Sequence, residues 1–344
     1  MATDKQIFIL NEMDEVVRKA MNSHVSSYPR TIVKSSILEY LPSRIREYNV
    51  GEPRHWTTSN LLPSLDMNIA EEEKWLKDLQ NRAKGISNEV RISLALNIIT
   101  EEGLPHFHKL LDRSIGRNSA LAEWNNLWTA EEDTHGTSLE RYALYSNIFN
   151  HPSLEKQIFE YLKKGFNPEW SGDPWKLFVY TSLQEMATKI SHENTGKLVE
   201  NVEPLFNELT SIVARDEARH YAFYVGMFKE VLKRDPNDAL AAAESLLRKI
   251  DMPAVAISNF NNYAEVIGKI QVYTMNNYTE IVKRLISQWN ISKIDGLDDI
   301  GKKSQQNILE LPQRLEIAAK RFEYARKQKS FRFPVIYDQS IELK

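Results

Sequence analysis

The sequence predicts an all-α protein. Three observations carry the prediction: glycine is scarce, apolar residues recur at three- and four-residue steps along most of the chain, and the breaks between those stretches are short. Glycine supplies 12 of 344 residues, about half its ordinary share and too few for a turn-rich β protein. The segment MATDKQIFILNEMDEVVRKA reads as a first amphipathic helix. Helical periodicity then runs through residues 69–83, 90–115, 121–148, 154–162, 175–190, 198–232, 239–250, 266–286 and 308–325. Stops fall at GEPRH with LLPSLD, GFNPEWSGDP, RDPND and DMPA, where Pro and Gly punctuate the pattern. The segment FRFPVIYDQSIELK turns extended and is expected to lie along the bundle surface. No linker composition interrupts the chain, so one domain over 1–344 is expected, with a core bundle at about 69–290.

Composition narrows the function. Hydrophobic residues make up 42% and charged residues 26%, ordinary for a globular chain, and the longest apolar runs fall far short of the roughly 20 residues that span a bilayer. Net charge is -3, which gives no global field to hold nucleic acid. The absence of cysteine excludes disulfides, thiolate zinc sites, cysteine-ligated clusters and cysteine nucleophiles together. Any metal must take Glu, Asp or His. The opening segment lacks a signal peptide and a Ser- and Arg-rich transit peptide, which implies a bacterial cytoplasmic protein or, failing that, a processed protein of the plastid stroma.

Two Glu-x-x-His pairs stand on helical segments: Glu132 with His135 in WTAEEDTHG, and Glu217 with His220 in ARDEARHYAF. At i, i+3 the two side chains share a helix face and can converge on one ion. The pair alone is weak, and a third at Glu52 and His55 lies next to Gly51 and Pro53 where no helix would present it. What strengthens the signal is a carboxylate upstream of each pair: Glu101 precedes Glu132 by 31 residues, and Glu185 precedes Glu217 by 32. One helix carries Glu and the next Glu-x-x-His, and the arrangement then repeats. That is the ligand pattern of ferritin-like di-iron or di-manganese bundles. Six oxygen and imidazole ligands suit a pair of Fe or Mn ions, whereas one zinc wants four ligands, usually softer. The competing reading, solvated charges on helix faces, fits poorly with Glu185 inside LFVYTSLQEMATKI and Glu101 inside ISLALNIITEE, where an unpaired buried carboxylate would cost several kcal/mol. Pro105 cannot bond to the carbonyl of Glu101, so a kink or widened turn is expected beside it. His106, His108 and His192 fall outside the repeat and are expected at the surface or behind the ligands; Glu102 and Glu131 are expected to face solvent or salt-bridge.

These segments resemble the soluble acyl-ACP desaturases, the stearoyl-ACP desaturase family. ITEEGLP is similar to that family's ITEEALP, WTAEEDTHG to WTAEENRHG, YTSLQEMATKISHENT to YTSFQERATFISHGNT, and DEARH to DEKRH; LRKIDMPA, LPQRL and YDQSIELK also have family counterparts. The resemblance covers most of the chain from about Trp56 and implies a ferritin-like bundle with additional helices. It implies two Fe per chain on Glu101, Glu132, His135, Glu185, Glu217 and His220. It further implies roles for Asp216 as partner of an iron-bound His, for Trp128 and Trp56 near the inward electron path, and for Thr188 beside the oxygen site. Asp133 and Thr134 depart from the usual Asn-Arg without touching the ligands. Trp170 and Leu177 are bulkier than the family's usual residues in the segment lining its acyl tunnel, which implies a shortened or redirected cavity and a preference for shorter chains.

The implied activity is insertion of a cis double bond into a saturated acyl chain on acyl-carrier protein, using O2 and two electrons from a ferredoxin-type donor. An unactivated methylene has no acidity for a general base to exploit, so a metal must supply the oxidising power. Acyl-carrier protein is acidic and calls for a basic docking face, for which Arg54, Arg248, Lys249, Lys283 and Arg284 are candidates. A homodimer is implied; nucleic-acid and membrane partners are not. Three other readings stay open on the sequence: a different di-iron oxygenase such as an acyl hydroxylase, an iron-binding or storage protein, and a metal-free helical interaction protein.

Overall fold

The computed structural model describes residues 56–62, 68–115, 120–248, 253–324 and 329–343, with Lys34 and residues 37–39. The first predicted helix, Glu52 with His55, and Arg54 and Lys249 lie outside the described residues. Four long helices form the frame: α2 (Asn88–Glu101), α4 (Ala120–Ser146), α6 (Pro174–Lys197) and α7 (Pro204–Arg234). Each packs on two of the others in the order α2, α4, α7, α6 and back to α2, so the four close a ring. Their starts are written locally: Ser87 caps α2, Asp173 caps α6 through Trp175 and Lys176, and Pro174 and Pro204 sit in first turns where a missing N–H costs nothing.

Around the frame lie α1 (Ile69–Ala83), capped by Asn68, on α4; α3 (Leu104–Ile115) on α4 and α6; and α5 (His151–Lys164) on α2. A second layer, α8 (Pro236–Arg248) and α10 (Met275–Gln288), covers α6, with α11 (Asp299–Tyr324) packed on both, while α9 (Phe260–Lys269) covers α2. The apolar interior is two clusters. On α4 one ends at Trp128 and the other starts at Leu139; on α7 the second ends at Leu209 and the first resumes at Tyr221. The gap between them holds the buried polar residues of the predicted site.

Several boundaries differ from the periodic reading. The stretch 90–115 is a full break and not a kink: α2 ends at Glu101 and α3 begins at Leu104, with Gly103 N bonded to Thr100 O and His106 N to Gly103 O. The stretch 198–232 starts only at Pro204, because α6 continues to Lys197 and a turn closed by Val202 N to Val199 O intervenes. The stretch 266–286 divides at 270–274, where Gln271 takes φ 60° and Thr274 with Asn277 forms a capping box that restarts the helix. The stretch 308–325 begins earlier, at Asp299. The extended tail is an antiparallel hairpin, β1 (Lys329–Phe333) and β2 (Gln339–Leu343), in register Phe331 with Ile341. It buries Phe333, Val335, Ile336, Ile341 and Leu343 against the α2 side of the core and is more than a surface strap.

The α2–α3 break depends on a close approach. A Cβ on Gly103 would lie 2.8 Å from Thr100 O and 2.7 Å from the Tyr161 ring. Gly103→Ala is expected to destabilise the protein by about 1–3 kcal/mol, the usual cost of overpacking, read as a lower denaturant midpoint at unchanged slope.

Candidate metal centre

The ring of four helices points six predicted residues inward at one level. Helix α2 supplies Glu101 from its final turn, α4 supplies Glu132 and His135, α6 supplies Glu185, and α7 supplies Glu217 and His220. All six are buried; both histidines are fully so. Their ligand atoms fall into two groups, Glu101 with Glu132, His135 and Glu217, and Glu132 with Glu185, Glu217 and His220, each with atoms within 4.8 Å of one another. Glu132 and Glu217 belong to both. His220 Nδ1 lies 2.9 Å from Glu132 Oε1 and 3.4 Å from Glu185 Oε2, and His135 Nδ1 lies 3.5 Å from both Glu132 Oε2 and Glu217 Oε1.

The outward nitrogens decide what the inward ones can do. His135 Nε2 faces Asp216 Oδ2 at 3.4 Å, and His220 Nε2 faces Glu131 Oε2 at 2.9 Å. A carboxylate there holds the proton on Nε2 and leaves the Nδ1 lone pair aimed at the cluster. Nδ1 of both histidines, Glu132 Oε1 and both Glu185 oxygens have no hydrogen-bond partner although buried. Orphaned acceptors converging from three helices are a donor set for cations. Two divalent ions would balance the four carboxylates, and oxygen with imidazole donors suits Fe or Mn.

Burial and charge pull the ionisable groups of this cluster in opposite directions. Burial pushes Glu101 up to about 7, against the hydrogen bond from His192. Burial also holds Glu185 well above the carboxylate range, with Glu217 adding repulsion. Burial alone would lower His135 and His220, but the hydrogen bonds that they donate to Asp216 and Glu131 respectively, with the inner carboxylates close by, raise both well above the imidazole range. Glu217, which burial would raise, is held far below by His135 and His220.

The remaining predicted residues surround this cluster. Asp216 also accepts from Trp56 Nε1 at 2.7 Å, and the Trp56 ring stacks on His135 at 6.1 Å between centroids. Trp128 sits 6.4 Å from the His220 ring with its Nε1 unpartnered. Thr188 Oγ1 donates to Glu217 Oε2 at 3.0 Å. A cavity of about 160 Å³ opens on Glu101, Glu132, Glu217 and Thr188 and is otherwise mostly apolar. Trp170 and Leu177 do not line it: Trp170 packs on Tyr180 at 5.0 Å and Phe166 at 6.5 Å, behind the wall formed by Phe107.

Sequence reasoning missed two features. Glu131, expected to face solvent or salt-bridge, does bridge to Arg219 Nη2 at 2.7 Å but also reaches His220 across the bundle. The signal was an acid directly before each Glu-x-x-His: Asp216 serves the histidine of the first pair, and Glu131 that of the second. His192 bonds Glu101 Oε1 at 2.8 Å; it stands seven residues after Glu185, two turns on along the same face. Among the docking candidates, Arg248 pairs with Glu244, Lys283 with Glu280 and Glu316, and Arg284 lies over the Tyr221 ring, so these three cations already face partners of their own chain.

Residues 30–337 match the fatty acid desaturase family. A stearoyl-ACP 9-desaturase of Arabidopsis thaliana is 30% identical over 84% of this chain and 78% of its own length. This chain belongs to the acyl-ACP desaturase family. A stearoyl-ACP 9-desaturase of Spinacia oleracea is 32% identical over 78% of the chain and 71% of its own, and a palmitoyl-ACP 4-desaturase of Ophrys sphegodes is 29% identical over 84% and 77%. The crystal structure of DesA2 from Mycobacterium tuberculosis, assigned as an acyl-ACP desaturase, shares the fold with a TM-score of 0.55 at 14% identity, over 78% of this chain and 99% of that one. The family makes this chain an enzyme, an oxidoreductase of fatty acid metabolism. No helix among the described residues is long and apolar enough to cross a membrane.

Proposed function

We propose that this desaturase removes two neighbouring hydrogens from a saturated acyl chain carried on acyl-carrier protein. A saturated –CH2–CH2– unit, O2, two electrons and two protons give a cis –CH=CH– unit and two waters. The observation that carries this reading is the meeting of a two-group Glu/His cluster with a mostly apolar cavity. Two Fe per chain would be held by Glu101, Glu132, His135, Glu185, Glu217 and His220, with Glu132 and Glu217 shared. Bound there, the iron pair supplies the oxidising power toward C–H bonds that no side chain possesses.

The chain's own part is positioning and exclusion. The apolar lining takes up methylenes and excludes water from the carboxylate face. Thr188 holds a hydroxyl at the border of cavity and cluster. Asp216 and Glu131 keep the histidine protons on the outer nitrogens. The half-buried Trp56, bonded to Asp216 and stacked on His135, gives a continuous path from the surface inward for the two electrons, which a ferredoxin-type donor would deliver. The family reading adds a homodimer and one domain over the whole chain.

The test is iron content after anaerobic reconstitution, then single turnover with acyl-ACPs of several lengths and mass analysis of the product. About two irons per chain, as one such centre holds, and a product lighter by two hydrogens are expected. A product heavier by one oxygen would make the enzyme a hydroxylase. Iron loading far beyond the centre, with no change in the acyl chain, would make it a storage protein.

A further inference from the structure

The six residues form a near-symmetric pair of groups, yet their two end carboxylates are held differently. Glu185 has no hydrogen-bond partner on either oxygen. Glu101 ends a directed chain. Ser191 Oγ donates to Asn97 Oδ1 at 2.8 Å, Asn97 Nδ2 faces His192 Nδ1 at 3.4 Å, and His192 Nε2 faces Glu101 Oε1 at 2.8 Å. With its oxygen occupied by Ser191, the amide can only donate from Nδ2, so His192 Nδ1 must be the acceptor and Nε2 must carry the proton. His192 is therefore a donor to Glu101, fixed in tautomer by a neighbour that cannot exchange roles. The amide in the middle also argues against proton conduction along this chain, leaving orientation as its work. His192 and Thr195 are buried within α6, and a second bond from Ser93 to Thr195 pins α6 against α2 at the same level. The geometry thus fixes one oxygen of Glu101 and leaves the other for an ion.

We propose that His192 is the positioning residue for Glu101 and that, through it, the centre is unequal: the ion on the Glu101 and His135 side is bound first and more tightly than the ion on the Glu185 and His220 side. This rests on the metal-centre reading. A pre-oriented ligand loses less freedom on binding, and outer partners of this kind change metal affinity by about 10–100-fold.

Anaerobic titration of the full chain with Co2+, followed by visible absorption, tests it. The wild-type protein is expected to fill in two steps. His192→Leu is expected to weaken the tighter step by about 10–100-fold and leave the weaker one in place. His192→Gln, whose amide can put an N–H where Nε2 stands, is expected to recover the tighter step to within a few-fold. Asn97→Asp turns the neighbour into an acceptor, draws the His192 proton to Nδ1, and is expected to behave like His192→Leu; it also carries the test if the leucine variant does not fold. Two unchanged steps in folded His192→Leu and Asn97→Asp, or equal weakening of both steps, would overturn the proposal. A wild-type chain that takes up no Co2+ would instead sink the metal-centre reading itself.

Discussion

Glu217→Gln is expected to abolish binding of both ions and to reduce turnover below detection. Glu217 belongs to both groups of the cluster and is the acceptor for Thr188. Glutamine keeps the shape but offers one neutral oxygen and no charge, so each ion loses one of its two shared carboxylates and keeps only Glu132. Partners outside the ligand shell are worth about 10–100-fold; a shared ligand should exceed that, giving at least about 10³-fold in product formed per turnover. Metal content after anaerobic reconstitution, the oxidised optical spectrum and single-turnover product would be measured together, with far-ultraviolet dichroism to show that the helices persist. Two irons retained with normal product would remove Glu217 from the centre.

Asp216→Asn should have the next largest effect, through His135. Asp216 takes hydrogen bonds from Trp56 Nε1 and from His135 Nε2 on the same oxygen. The amide has one oxygen, and Trp56, a donor only, must keep it. His135 Nε2 then shares a neutral oxygen in place of a carboxylate, which makes its Nδ1 lone pair a poorer donor to the cluster, and the NH2 takes the place of Oδ1 beside Arg219. The expected outcome is about 10–100-fold weaker binding of the ion on the His135 side, with the His220 side near wild type. Glu131→Gln is the counterpart for His220. Equal loss at both ends in either variant would show a general loosening of the bundle and not the local loss of an outer carboxylate.

The ligand positions were readable because a helical ligand pair has a fixed spacing and the chain uses it twice, each time after a glutamate one helix upstream. The residues behind them were harder. Glu131 and Asp216 precede their own Glu-x-x-His but serve the histidine of the other pair, a crossing that adjacency in sequence does not show and the closure of the bundle does. His192 showed a same-face spacing from Glu185, yet it bonds Glu101 on a neighbouring helix. The break between α2 and α3 was half legible: Pro105 removes a hydrogen bond, but only the packing of Tyr161 on Gly103 turns a kink into an end. The 270–274 interruption was not legible, because apolar periodicity runs through Val272, which is buried in the core while the backbone turns at Gln271. The basic docking candidates were named from charge alone, and charge alone does not reveal the glutamates that answer Arg248 and Lys283.

The hairpin carries one more consequence, for the order in which the molecule assembles. Asn150 N bonds to Val335 O, and Tyr337 Oη donates to Phe149 O across 188 positions of sequence. The same hairpin covers the outer side of α2, the helix that brings Glu101 to the cluster. Contacts so distant along the chain form slowly, since loop closure must precede any return from packing. During synthesis the apolar side of α2 that the hairpin covers therefore waits while more than two hundred further residues are made. A nascent chain in that state is a client for holding chaperones, and the sealing of α2 by the hairpin, rather than the earlier pairing of α6 with α7, sets when the bundle becomes a closed vessel.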